Sequence, residues 1–127
     1  MSEIIYKELS YKINGLLFKT HKALGAHRNE KQYGDFFEQL LKEENIIYSR
    51  EFRFKDLINF EAVDRSIIDF LIDNKIVVEF KVKSCLKNED YDQVKRYLTT
   101  LDLSLGLLVN FRQKYLTPKR ILKPNNN

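Results

Sequence analysis

The positions of hydrophobic and polar residues predict two helices at the start of the chain. Apolar residues of the first segment recur every three or four positions, and Gly25 is placed to end that helix. The same spacing predicts a second helix over residues 30–44, which Asn45 stops. The stripe of the first helix consists of Ile13, Leu16, Leu17, Thr20 and Leu24, and that of the second of Tyr33, Phe37, Leu40 and Leu41.

The pattern changes to that of β-strands in the middle of the chain. Residues 46–54 alternate between apolar and polar side chains, which predicts a strand. Two further β-rich runs are separated only by Asp73-Asn74-Lys75, and this spacing predicts a hairpin. The two runs of the hairpin are residues 66–72 and 76–82, and residues 56–64 are interpreted as a turn or loop.

A third helix and one or two strands complete the predicted order. Asn88 is expected to cap a helix that continues to about residue 100, and residues 105–111 and 114–122 are β-like. A strand, a crossover helix and a further strand imply an α/β sandwich with a mixed sheet. The inward-facing residues of this helix are expected to be Tyr91, Val94, Leu98 and Leu101.

The composition indicates one globular domain. The 127 residues are 43% hydrophobic and 31% charged, and a single domain is expected over residues 1–122 with a flexible tail at 123–127. One cysteine, Cys85, excludes an intramolecular disulfide framework and a multi-cysteine zinc site. No signal peptide and no membrane-spanning run is predicted, so a cytoplasmic location is expected.

Basic residues concentrate in the first helix and in the last part of the chain. The net charge is +4, and such basic faces suit nucleic acid, although a solvated surface is an alternative explanation. The residues expected to contact nucleic acid are Lys12, Lys19, Lys119 and Arg120.

Charged residues interrupt both predicted strands of the hairpin. Asp69 lies in one apolar run, and Glu79 and Lys81 lie two apart in the next, which places these two on one face. Burial of a carboxylate lowers the free energy of unfolding by roughly several kcal/mol unless the carboxylate is paired or bound to a metal. These three residues are therefore the candidates for chemistry.

The hairpin loop decides whether the two carboxylates meet. A three-residue loop places Asp69 opposite Glu79 with Cβ atoms about 5 Å apart, where a divalent cation would relieve their repulsion. A two-residue turn would place them on opposite faces. Alternatively, the carboxylates pair structurally with Lys81 or Lys83 on a solvated sheet face.

Three further residues are candidates to flank this site. Gln93 and Tyr97 are four apart in the third helix and share a face, although a surface residue and a rim aromatic are the plain interpretations. Glu30 begins the second helix, where an acid also interacts favourably with the helix dipole. His21 and His27 are interpreted as structural or surface histidines.

These motifs occur in an order that resembles the GxxExxY proteins, a group within the PD-(D/E)XK nuclease-like superfamily. The resemblance covers about residues 4–122. Two positions depart from the pattern, because His27 replaces the glycine of GxxExxY and Ile68 replaces the proline of PD. The matching segments are His21-Lys-Ala-Leu-Gly25, Glu30-Lys-Gln-Tyr33, Asp69, Glu79-Phe-Lys81, Gln93 with Tyr97, and Gly106-Leu-Leu-Val-Asn-Phe111.

The resemblance implies a restriction-endonuclease-like αβββαβ core and a role for each motif residue. It implies that Asp69, Glu79 and the backbone carbonyl of Phe80 bind Mg²⁺ or Mn²⁺, with Lys81 as the catalytic lysine. Glu30 would assist the metal site. By the same resemblance, Gln93 and Tyr97 match the QxxxY signature of RecB-like members.

Two classes of function follow. The first hypothesis is a divalent-metal-dependent nuclease that acts on DNA rather than RNA. Because 127 residues leave no room for a separate recognition domain, specificity would come from a homodimer or a larger complex. The second is a non-catalytic module on a nuclease-like fold that binds nucleic acid or protein. An interaction subunit of a larger repair or defence complex is a third possibility.

Overall fold

The computed structural model describes residues 4–54 and 67–125, which form three helices and five strands. The predicted loop at residues 56–64 lies outside the described residues. The predicted order of elements is confirmed. The elements are α1 (Lys7–Leu24), α2 (Glu30–Glu43), β1 (Tyr48–Arg53), β2 (Ile67–Ile72), β3 (Ile76–Lys81), α3 (Asn88–Leu101), β4 (Leu105–Asn110) and β5 (Lys119–Leu122).

The five strands form one mixed sheet in the order β1-β2-β3-β4-β5. Only β3 and β4 are parallel, and α3 connects them as the crossover helix. The hairpin between β2 and β3 has the predicted three-residue loop, because Ile72 pairs with Ile76. Asp73 and Asn74 adopt φ angles of 52° and 53°, and these two residue types tolerate that left-handed conformation well.

Helices cover both faces of the sheet, as the α/β prediction requires. The helices α1 and α2 pack on one face around Phe37, Phe70 and Phe80. On the other face, α3 packs through Val94 and Leu98. None of the helices in the described ranges is long and apolar enough to cross a membrane.

Two predicted boundaries are wrong. The N-cap of α3 is Lys87 rather than Asn88, because the Asp90 carboxylate accepts the Lys87 backbone N–H at 2.8 Å and Asn88 is already helical. The last strand covers only Lys119–Leu122 rather than residues 114–122. Pro118, directly before it, has no N–H to donate to a sheet ladder.

Candidate functional site

The carboxylates of Asp69 and Glu79 interlock across the β2–β3 hairpin. The Asp69 backbone N–H donates to Glu79 Oε1 at 2.9 Å, and the Phe80 backbone N–H donates to Asp69 Oδ2 at 2.7 Å. Each carboxylate thus accepts one backbone bond through a single oxygen, which leaves its second oxygen for another partner. The hairpin places the two acids side by side, as the sequence predicts.

Both acids are held where ionisation is unfavourable. The pKa of Asp69 is raised to about 6, chiefly by burial and also by the nearby Glu30 carboxylate, although the Phe80 N–H and Lys81 act to lower it. Burial and the Asp69 charge raise the pKa of Glu79 well above its usual value. A cation placed between the two carboxylates would remove this repulsion.

Lys81 extends from the same strand toward helix α3. Its Nζ donates to Gln93 Oε1 at 2.9 Å and lies 3.9 Å from Asp90 Oδ1. The helix approaches closely because Gly106 of β4 lies beneath it, where an added Cβ would be 2.5 Å from a methyl carbon of Val94. Gln93 therefore holds the ammonium group of Lys81 in a fixed position beside the carboxylates.

Asp90 is a buried acid that sequence reasoning did not select as a site residue. Its side chain is 7% exposed and accepts two bonds from Lys83 Nζ at 3.0 and 3.1 Å. Although burial opposes ionisation, bonds from the Lys87 N–H and the Lys83 ammonium lower the pKa of Asp90. Asn110 accepts the Lys83 backbone N–H at 3.1 Å and donates to the Lys83 carbonyl at 2.8 Å. The only sequence signal was an acid directly before the apolar stripe of α3.

Asp69 opens onto a cleft of about 530 Å³, here called the carboxylate cleft, whereas Glu79 lies buried behind it. Glu30, Asp69 and Phe80 line it, and so do Arg50 and Glu51 of β1, which sequence reasoning missed. Glu51 has a φ of 55°, which is uncommon for a residue with a side chain. Glu51 lies at the level of Asp69 in the sheet. Its neighbour Arg50 pairs with Phe70, and its other neighbour Phe52 pairs with Ile68.

Arg50 brings a fixed positive charge to this cleft. Its Nη1 donates to Asp35 at 2.7 Å and to Glu38 at 3.0 Å, and its guanidinium lies 5.6 Å from the centre of the Phe70 ring. The guanidinium occupies the space beside Gly34 of α2 that a larger residue would fill. The alternating pattern of β1 marked Arg50 only as a polar strand residue.

The structure separates Tyr97 from Gln93. Gln93 contacts Lys81. Tyr97, in contrast, is 1% exposed and packs in the core, where the centroid of its ring lies 5.1 Å from that of Phe54. Neither of the two lines the carboxylate cleft, and they differ in that only Gln93 reaches Lys81. The helical spacing placed the two on one face but did not show which of them the sheet would bury.

The four cations predicted to bind nucleic acid differ in their contacts within the protein. Lys12 pairs with Glu44 at 3.5 Å. Arg120 donates to the Ser10 hydroxyl at 3.1 Å and to the Ile5 carbonyl, so its guanidinium connects β5 to α1. The other two are Lys19, exposed on α1, and Lys119, half-buried in β5.

The donor atoms of the site suit a hard divalent cation. Within residues 4–54 and 67–125, no three His, Cys, Asp or Glu side chains form a group that could hold a metal ion. Mg²⁺, however, is commonly bound by one or two carboxylates together with substrate phosphates and water. The oxygens of Asp69 and Glu79, with the Phe80 carbonyl, meet that description.

Comparison with known proteins agrees with this geometry. The family model of the PD-(D/E)XK nuclease superfamily matches residues 7–121, which is most of the chain. A search of curated proteins and a search of solved structures gave no significant match. The mixed sheet flanked by helices is consistent with a restriction-endonuclease-like fold. The chain therefore belongs to the PD-(D/E)XK nuclease superfamily.

Proposed function

We propose that the chain is a divalent-metal-dependent nuclease that hydrolyses phosphodiester bonds of DNA, and that it belongs to the GxxExxY group of the superfamily. The observation that carries this proposal is the interlocked pair of Asp69 and Glu79, with Lys81 two residues after Glu79 on the same strand. The alternative of a purely structural pair explains less. Lys81 donates to Gln93 rather than to either carboxylate, and both acids keep raised pKa values.

Each residue of the site has a distinct role in the proposed mechanism. Asp69, Glu79 and the Phe80 carbonyl would hold Mg²⁺ or Mn²⁺, and Glu30 would add negative charge at the entrance. When bound, the cation lowers the pKa of a water molecule and stabilises charge on the phosphate oxygens. Lys81 supplies a further positive charge for the negative charge that develops in the transition state.

We assign supporting roles to the remaining predicted residues. Gln93 orients Lys81 through its 2.9 Å hydrogen bond. Tyr97 positions α3 from within the core, so that Gln93 reaches the strand. Sequence-independent contacts to backbone phosphates would come from basic side chains, and sequence specificity from a second copy or a partner protein. The assigned phosphate contacts are Lys12, Lys19, Lys119 and Arg120.

Titration with Mn²⁺ by calorimetry tests the metal site directly. Asp69→Asn is the informative variant, because the amide oxygen can still accept the Phe80 N–H while the charge is lost. Asp35→Asn is the matched control, since Asp35 lines the same cleft but is paired with Lys31 and Arg50. We expect Mn²⁺ binding in the wild type and in the control, and loss of binding in Asp69→Asn. Equal binding by all three folded proteins would contradict the proposed site.

Cleavage of DNA with Mg²⁺ present tests the activity. Wild type and Lys81→Met are compared on single-stranded and duplex DNA, with Lys95→Met on the exposed face of α3 as the control. We expect Lys81→Met to lose about two orders of magnitude in rate, as for loss of one charge-stabilising group. Binding of DNA that is indifferent to Mg²⁺ and to Asp69→Asn would instead favour the non-catalytic module.

A further inference from the structure

A second cavity, of about 630 Å³, lies between the end of α1 and the segment that follows β4. We call it the basic cavity. Among the described residues no carboxylate lines it, whereas five lining side chains are lysine, arginine or histidine. These are His21, Lys22, His27, Arg112 and Lys114.

The permanent cations of the basic cavity are not neutralised by any of the residues that the structure describes. Within the described parts of the chain, Lys22, Arg112 and Lys114 form no ion pair with a carboxylate. In the carboxylate cleft, by contrast, Lys31 pairs with Asp35 at 2.9 Å. Like charges that converge without a partner repel each other, so an anion that entered this cavity would be stabilised.

Hydrogen bonds and ring stacking fix the walls of the basic cavity. His21 Nε2 is 2.8 Å from the Gln113 carbonyl, and because a carbonyl only accepts, this nitrogen carries the proton. The Tyr33 ring stacks on Phe111 with centroids 4.2 Å apart, and its hydroxyl donates to the Gly25 carbonyl. The loop and the segment after β4 are therefore held in place before a ligand binds, which lowers the entropic cost of binding.

Chain connections and strand pairing bring the basic cavity close to the carboxylate cleft. Lys81 pairs with Asn110, and the Phe111 N–H donates to the Lys81 carbonyl at 2.9 Å, so Arg112 follows directly beside the end of β3. His27 of the cavity and Glu30 of the cleft are three residues apart, so their Cα atoms are at most about 11 Å apart. Along the duplex axis one strand advances about 3.4 Å per phosphate, so at most about three nucleotide steps along that axis cover this distance.

We propose that the basic cavity binds backbone phosphates of the same nucleic-acid strand whose phosphodiester bond enters the carboxylate cleft. Arg112 and Lys114 are the principal contacts, and Lys22 faces them from α1. The inference rests on the proposed function, since it takes the carboxylate cleft as the place of cleavage. It differs from the earlier assignment because its cations line one cavity and have no carboxylate partner in the described residues, whereas Lys12 pairs with Glu44.

Salt dependence of DNA binding tests this proposal. A labelled 20-nucleotide DNA, single-stranded and duplex, is titrated with protein in EDTA at several NaCl concentrations, and binding is followed by fluorescence anisotropy. The test variant is Arg112→Gln with Lys114→Gln. The control is Lys42→Gln with Lys75→Gln, which removes the same charge at the far end of α2 and at the hairpin turn.

We expect the test variant to bind duplex about tenfold more weakly at about 0.1 M salt. The slope of log K against log[NaCl] should fall by about 1.8, from two lost contacts of about 0.9 each. The control should match the wild type. A test variant with the slope and affinity of the control would overturn the proposal, as would a wild type that binds no DNA. If the double variant does not fold, Lys22→Gln is measured instead, and the slope of log K against log[NaCl] should then fall by about 0.9.

Two further measurements identify the ligand of the basic cavity and distinguish this proposal from the proposed function. A mononucleotide should bind wild type and test variant equally weakly, and a difference as large as that seen with DNA would assign the cavity to a small phosphorylated molecule instead. Because EDTA removes divalent metal, DNA binding here does not depend on the metal site. Loss of Mn²⁺ binding in Asp69→Asn, with unchanged DNA binding by the cavity variant, would overturn only the cavity proposal.

Discussion

Ile68 and Phe70 lie on opposite faces of the sheet, although residues two apart on a regular strand share a face. Ile68 packs in the cluster against α3, and Phe70 packs in the cluster against α1 and α2. The change of face occurs at Asp69, at the level of Glu51 with its φ of 55°. This local irregularity frees the Asp69 carboxylate from both cores, so that it reaches the Phe80 N–H.

Asp69→Asn should stabilise the metal-free protein. Folding raises the pKa of Asp69 from 3.8 to about 6, so the folded chain is penalised for holding the ionised form. At about pH 7.5 we expect a gain of roughly 1 to 3 kcal/mol in the free energy of unfolding, measured by urea denaturation in EDTA. Asp69→Ala should gain less, because it leaves the Phe80 N–H without an acceptor. A destabilised Asp69→Asn would show that the ionised pair is favourable without metal.

The raised pKa of Asp69 also determines how the free energy of unfolding changes with pH. Because the folded pKa is the higher one, the contribution of Asp69 to stability is complete below about pH 4 and is lost as the pH rises through about 6. The stability difference between wild type and Asp69→Asn should therefore vanish near pH 4 and grow toward pH 7. Urea unfolding of both proteins in EDTA across that range checks this. A constant difference would contradict the assigned titration.

Binding of Mn²⁺ should strengthen with pH over the same interval. A metal competes with protons for the carboxylate oxygens, so its affinity should fall about tenfold for each pH unit below about 6. Calorimetric titrations in buffers of different ionisation enthalpy would count the protons released. An affinity that is independent of pH between about 5 and 7 would place the metal elsewhere.

Gly106→Ala should lower stability and activity together. The added methyl would meet a carbon of Val94 at 2.5 Å in a packed core, which costs about 1 to 3 kcal/mol. Moving α3 outward would also withdraw Gln93 from Lys81. Gly15→Ala is the matched control, since nothing lies within 4 Å of its added carbon, and it should gain up to about 1 kcal/mol. Thermal unfolding and the DNA cleavage rate check both variants.

Asp90→Asn should reduce the cleavage rate more than metal affinity. Asp90 holds Lys83 and lies 3.9 Å from Lys81, so its loss would free one ammonium group and reorient the other. We expect a rate about tenfold lower and a stability loss of about 1 to 2 kcal/mol from the weakened cap. Glu89→Gln, exposed in the same helical turn, is the control. Equal rates for the two variants would leave Asp90 only a structural role.

Local sequence patterns predicted the fold class and the order of its elements. The two β-rich runs and the turn-forming residues Asp73 and Asn74 between them predict the hairpin and its three-residue loop without help from distant parts of the chain. That register brings Asp69 and Glu79 to the same level of the hairpin, and the irregularity at Asp69 then lets their side chains interlock. Boundaries were less predictable, because Asp90 caps α3 at Lys87 through a contact that the spacing of apolar residues does not show.

The sequence by itself determined that two carboxylates and a lysine meet on a hairpin within an α/β domain, because strand period and turn chemistry are local properties. Tertiary structure decided which neighbours surround them. It buried Tyr97, brought Arg50 and Glu51 to the carboxylate cleft, and placed Arg112 beside the end of α1. These positions depend on the break in β2 at Asp69 and on the packing of helices against both sheet faces. Such contacts join residues far apart in the chain, and no local period encodes them.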